Sequence, residues 1–149
     1  MARGDFTVFE EFADQLGEGR HDFDADTIKL GLVDDTLTPL ASAAAVWGTY
    51  SANEVSTAGG YTSGGETLSG VTWEEADGVA TLDDTDNISL SQDGSGFTDA
   101  YWGILYNDSD TDGPDAAIGF LELGGPVSEQ AGPITITWNA SGILTVTVS

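Results

Sequence analysis

The chain has no cysteine, which excludes disulfides, thiolate metal sites and cysteine nucleophiles. It has one histidine, His21, so a catalytic arrangement or metal triad built on several imidazoles is excluded as well. Positive charge is almost as scarce. Arg3, Arg20 and Lys29 are the three cations among 149 residues, against 26 acidic groups, for a formal net charge of −23. No Lys or Arg follows Lys29, while 18 of the 26 acids do. A polyanion without a basic patch does not bind nucleic acid by neutralising phosphates, nor is it drawn to an anionic membrane. No apolar run approaches the ~18 residues of a membrane-crossing helix. Met1 to Leu16 has acids within its apolar pattern, so no signal peptide is expected there.

What is present points to a folded domain. The apolar fraction of 40% and 14 aromatic residues separate the chain from acidic disordered sequences. About 150 residues fit one domain. The expected organisation is a single β domain over 1–149, with an N-terminal helix or arm at 1–20 and a β-rich body at 27–149. The acidity suits a marine or halophilic medium, because seawater-level salt shortens the Debye length to about 4 Å. The plainer alternative is that it keeps an abundant protein soluble.

Phe6, Phe9, Phe12, Ala13 and Leu16 fall at near-helical spacing, which predicts one short helix over Asp5–Leu16, stopped by Gly17 and Gly19. It either packs on a sheet or serves as an arm for a partner. Thr27–Val33 alternates as a half-buried strand, and Leu40–Val55, rich in alanine, reads as a short helix or turn-rich connection. Gly59–Gly65, GGYTSGG, reads as a flexible loop. Strands are then expected over Leu68–Ala76, Val79–Leu82, Ile88–Leu90, Ala100–Tyr106, Ala116–Leu123, Ile134–Trp138 and from Ile143 to Val148. Ala100–Tyr106, AYWGILY, is apolar enough for a central strand covered on both faces. Trp138–Ile143 reads as a hairpin joining the last two strands, with Gly142 left-handed. Short strands at this spacing predict an antiparallel β-sandwich or barrel of about seven or eight strands.

Candidate sites are few. Asp108, Asp110, Asp112 and Gly113 form the D-x-D-x-D-G opening of a calcium loop, since carboxylates at alternate positions can converge on one hard cation. The twelfth position is Gly119, not Glu, so an EF-hand is not expected. A looser Ca²⁺ or Na⁺ site helped by Asp115 stands beside the reading of a solvated acidic loop; no other cofactor is indicated. Asp83, Asp84 and Asp86 read as a charged turn. His21 reads as structural. Nothing singles out a pair of carboxylates for glycosidase chemistry, and no enzyme is expected. Trp47, Trp73, Trp102 and Trp138 can line a carbohydrate platform, but three of them lie in strand patterns and read more simply as core.

The order of FEEFADQLGEGRHDFDADTIKLGLV from Phe9, GGYTSGG from Gly59, YWGILYND from Tyr101, IGFLELGG from Ile118 and ITITWNASGILTVTV from Ile134 resembles small structural proteins of tailed bacteriophages. The resemblance covers most of the chain; its extreme acidity and the alanines at 41–46 depart from the pattern. It implies a virion component, of the capsid decoration (cement) kind, made in the bacterial host cytoplasm and placed on the capsid surface. The major capsid protein would be its partner, in a trimer or dimer on the particle, without nucleic acid or membrane. The cations lie only in the first fifth of the chain, so Arg3, Phe6, Phe9, Phe12 and Arg20 are the expected docking residues. Removal of residues 1–16 is then expected to leave a folded β domain. A tail component and a carbohydrate-binding β-sandwich are the alternatives.

Overall fold

Residues 3–149 are described in a computed structural model of the chain. Ten strands, all in antiparallel pairs, dominate these residues. They are β1 (Phe6–Val8), β2 (Ile28–Val33), β3 (Glu66–Thr67), β4 (Val71–Ala76), β5 (Val79–Asp84), β6 (Ile88–Leu90), β7 (Ala100–Asn107), β8 (Ala117–Val127), β9 (Ile134–Ile136) and β10 (Leu144–Thr147). Two short helices, α1 (Phe12–Gly17) and α2 (Trp47–Tyr50), complete the list with a 3₁₀ turn at Ser51–Asn53. The main sheet has the order β1-β8-β7-β2-β3. A second layer comprises β10-β5-β4 and β6-β9. The arrangement is sandwich-like, and the described residues form no closed barrel.

The apolar run of β7 is explained by its place at the centre of the main sheet. Ile104 and Tyr106 join one buried cluster, with Phe9, Trp47, Tyr50 and Phe120. Leu105 joins the other, with Ile28, Leu30, Leu32 and Leu121. Consecutive side chains of a strand point to opposite faces, so burial on both faces requires a continuous apolar run. The sequence of β2 shows a second device. Lys29 and Gly31 interrupt its apolar alternation, yet Gly31 is buried beneath Trp47, whose ring stacks on Tyr106 at 4.7 Å and 5°. A Cβ at Gly31 would overlap that ring. The glycine is therefore a seat for an aromatic side chain, not a solvent-facing position. Asp77 and Gly78, with φ of 53° and 82°, make the tight turn between β4 and β5 that an Asp-Gly pair favours.

Several expectations need correction. The segment read as one helix over Asp5–Leu16 divides into β1 and α1. Phe6 packs toward the first cluster and Phe9 lies within the second. A spacing of three resembles a helical stripe, but along extended chain it carries side chains to opposite faces. Both faces of this sheet are apolar, so the same residues satisfy a strand. Phe-Thr-Val also suits β pairing, here against Leu121, Phe120 and Gly119. Within the N-terminal segment, β1 is thus an edge strand of the main sheet.

The hairpin expected at Trp138–Ile143 does not join β9 to β10. Gly142 is left-handed, with φ of 92°, and its N–H donates to the Asn139 carbonyl at 2.9 Å. The turn is real, but β9 pairs with β6 and β10 pairs with β5. The two strands run successively along the β5–β6 limb instead of pairing with each other. Gly59–Gly65 is not a free loop either. Tyr61 is buried, its hydroxyl donates to Glu54 Oε1 at 2.8 Å, and it accepts the Leu32 N–H at 2.8 Å. Burial raises the Tyr61 hydroxyl above its ordinary pKa, which keeps it a donor.

Candidate functional site: the cation-bearing end and its groove

The expected docking residues do not share one surface. Phe9 and Phe12 are buried, at 1% and 5% exposure. Phe6 is half-buried and meets Trp138 edge to face at 6.3 Å. Of the expected set, only Arg3 is exposed; Arg20 is half-buried. The idea of a Phe6-Phe9-Phe12 docking stripe is therefore corrected: a sheet with two apolar faces consumes Phe9 and Phe12.

Arg20 is also committed internally. Its Nη2 donates to Asp110 Oδ2 at 2.5 Å and to the Pro114 carbonyl at 2.8 Å. Lys29, on β2, pairs with Asp108 at 2.8 Å. Two of the three Asp residues of the suspected calcium loop are thus engaged by the chain's own cations. Among the described residues, no three metal-ligating side chains are grouped to hold an ion. The Asp108–Gly113 segment is closed from within by these two ion pairs. Burial would by itself raise the Asp110 carboxyl. The Arg20 hydrogen bond, the Asp112 N–H and the Arg20 charge outweigh it and hold the group below its ordinary value. At nearby Asp115 burial, then Asp108 and Asp110, raise the carboxyl against the opposing charge of Lys29.

His21 sits behind this segment. Its ring stacks on Phe23 at 5.5 Å and lies 5.4 Å from Phe12. Nε2 meets Gln15 Oε1 at 3.1 Å, and Nδ1 lies 3.4 Å from Asn107 Nδ2. Asn107 Nδ2 donates also to the Arg20 carbonyl and to Asp26. Burial lowers the His21 pKa to about 4, opposed by Asp110 and Asp26 and reinforced by Arg20. The imidazole is neutral at neutral pH and fastens α1 to β7. Both ring nitrogens face side-chain amides, which is the geometry of a structural histidine.

The tryptophans are divided between the two faces of the main sheet, Trp73 and Trp138 on one, Trp47 and Trp102 on the other. They form no common platform. A buried acid escaped the sequence reading. Glu129 is fully buried, and its Oε1 accepts the Gly60 N–H at 2.8 Å. Side chains at Gly59, Gly60 or Gly96 would overlap its carboxylate, so three glycines make its seat. Its position tethers the loops around Gly59 and Gly96 to the end of β8. One acid among 26 carries no mark of that role; the only trace is the glycines of two distant loops.

The remaining feature is a groove of about 610 Å³ at the β1 end of the sandwich. Arg3 and Phe6 border it on the main-sheet side, with Leu121 and Leu123 of β8. Ile136, Trp138 and Leu144 border it on the β9–β10 side. Arg3 enters no ion pair among the described residues, unlike Arg20 and Lys29. Its side chain lies over Gly124, where a Cβ would overlap it. The structure thus brings together two of the expected docking residues, Arg3 and Phe6, in a place that the sequence did not define. No family model, curated protein or solved structure matches the chain.

Proposed function

We propose that the protein is a structural component of a tailed-bacteriophage virion, of the capsid-decoration kind, binding the outside of the major capsid lattice as a dimer or trimer. The observation that carries this reading is the distribution of charge. Arg20 and Lys29 are each paired with an aspartate of the same chain, so the charge left over is almost all carboxylate. Such a coat keeps neighbouring particles apart by repulsion. Arg3 and the groove beside Phe6 leave one end different in character, and that end is the docking end in this reading. The Phe9 and Phe12 side chains contribute by holding the domain together. The sequence resemblance supplies the class; the strand-rich domain and acidic exterior suit it.

The test is cryo-electron microscopy of purified particles, with the same particles stripped of this protein and reconstituted. Density for the domain on the shell, restored by adding it back with improved thermal resistance of the shell, is the expected result. Density on the tail, or no density on the particle, would overturn the decoration reading.

A further inference from the structure

The groove has two walls of different chemistry. One carries Arg3 and Glu122, held side by side because the Gly4 N–H donates to the Glu122 carbonyl at 2.7 Å. Arg3 enters no ion pair among the described residues, and its guanidinium offers donors in a planar fork. Glu122 Oε1 accepts the Gly124 N–H at 2.9 Å, which leaves acceptor capacity on a half-buried carboxylate. The other wall carries Trp138 and Asn139. The indole is fixed in place: its Nε1 donates to Asp84 Oδ2 at 3.2 Å, and its ring meets Phe6 at 6.3 Å. It is only half-buried, so part of its apolar surface borders the groove. Asn139 Oδ1 accepts the Ser141 N–H at 2.9 Å, which leaves the side-chain amide N–H groups as donors at an exposed position. Buried Leu121 and Leu144 add apolar lining.

This combination restricts the ligand. An anion meets Glu122 beside the one cation of the groove, in a chain of net charge −23. A cation meets Arg3. A wholly apolar molecule strips water from Arg3 and Glu122 and gives them no partner. A sugar ring supplies hydroxyls that donate to a carboxylate and accept from a guanidinium or an amide, and C–H groups that pack on an indole face. One indole serves one ring, so no platform of several tryptophans is required. The volume of about 610 Å³ lies within the ~300–1,000 Å³ of small-ligand sites. We propose that this groove binds a neutral oligosaccharide, with one ring against Trp138 and its hydroxyls shared among Arg3, Glu122 and Asn139. Such binding requires the groove alone, and holds whether or not the protein sits on a shell.

Maltotriose, cellotriose and chitotriose are titrated at millimolar concentration into the full chain, and amide and indole N–H shifts are read by NMR. At least one is expected to give saturable shifts at the Trp138 indole, the Asn139 amide and Gly4. Its affinity should not change as NaCl is added, because the ligand carries no charge to be screened. Trigalacturonic acid, an anionic control, should bind more weakly. Arg3→Ala removes a charged donor and should weaken binding about tenfold. Glu122→Gln keeps an acceptor for the Gly124 N–H and should weaken it less. Ser141→Trp, at an exposed turn position, fills the groove and should abolish binding. Unperturbed indole shifts of Trp47 and Trp102 in each variant show that it is folded. No saturation with any of the three neutral sugars, shifts away from the groove, or tighter binding of trigalacturonic acid would overturn the proposal. So would binding that survives both Arg3→Ala and Ser141→Trp.

Discussion

Arg20 and Asp110 lie 90 residues apart in sequence and meet at 2.5 Å, with the Asp110 side chain only 1% exposed. The contact joins the turn after α1 to the loop between β7 and β8. Removing one partner of this part-buried pair leaves the other without its counter-charge. Arg20→Ala is expected to cost about 1–3 kcal/mol. For a domain of this length that corresponds to a melting temperature lower by roughly 2–12 °C, measured by calorimetry. Asp110→Asn keeps an acceptor and should cost less. A loss below about 1 kcal/mol for Arg20→Ala would show that water reaches the pair.

His21 gives the stability a defined pH dependence. Its pKa is about 4 in the fold and 6.5 in the unfolded chain, so the unfolded state binds more protons between those values. The stabilisation by neutral His21 is complete above pH 6.5 and is lost as pH falls toward 4. With allowance for partial solvent access, the loss is on the order of 2 kcal/mol. Urea unfolding at several pH values, compared with His21→Gln, isolates it from the carboxylates. An identical slope in the variant would exclude His21 as its source.

Gly31 is a seat for the Trp47 ring, and the seat has no spare room. Gly31→Val, at a β-strand position where valine is otherwise favourable, is expected to cost about 1–3 kcal/mol by overpacking. Trp47 fluorescence should shift as its stacking on Tyr106 is disturbed. A stabilised variant with unchanged fluorescence would mean that the ring moves freely.

The N-terminal segment is a structural edge, so its removal tests the fold. Phe9→Ala deletes a buried side chain and should cost about 3–5 kcal/mol. Deletion of residues 1–16 also removes β1 and most of α1 and should abolish cooperative thermal unfolding. A truncated protein that melts cooperatively near the full-length temperature would restore the picture of an independent arm.

The excess of negative charge predicts a salt response. Repulsion among the acids is screened as the Debye length falls toward 4 Å in seawater-level salt. Stability measured from low salt to that level should rise. A flat profile would separate the charge from any saline environment.

The strand positions were largely legible because alternation and apolar runs are local. β2, β5, β6 and β7 begin within a residue or two of where the residues alone place them. The burial of β7 on both faces was readable for the same reason. Where the reading failed, two structures satisfied one pattern. Phe6 and Phe9 fit a helical stripe and a strand between two apolar faces equally well. The Asn139–Gly142 turn has the residues of a hairpin, but turn chemistry does not specify which strands pair.

The candidate site was less visible. Asp108, Asp110 and Asp112 have the spacing of a cation loop, and nothing local shows that Lys29 and Arg20 reach them. The groove near Arg3 depends on three strand edges from distant parts of the chain. Glu129 became distinct from the other acids only when Gly59, Gly60 and Gly96 gathered around it.

Composition and local periodicity determined by themselves a strand-rich acidic domain without thiol chemistry, with cations confined to one end. These properties follow from side-chain type and spacing, and need no knowledge of who meets whom. Tertiary structure alone decided which charges are spent in internal pairs, which phenylalanines are buried and which strands end each sheet. Those outcomes depend on contacts between residues tens of positions apart, where pairing and packing compete for the same side chains.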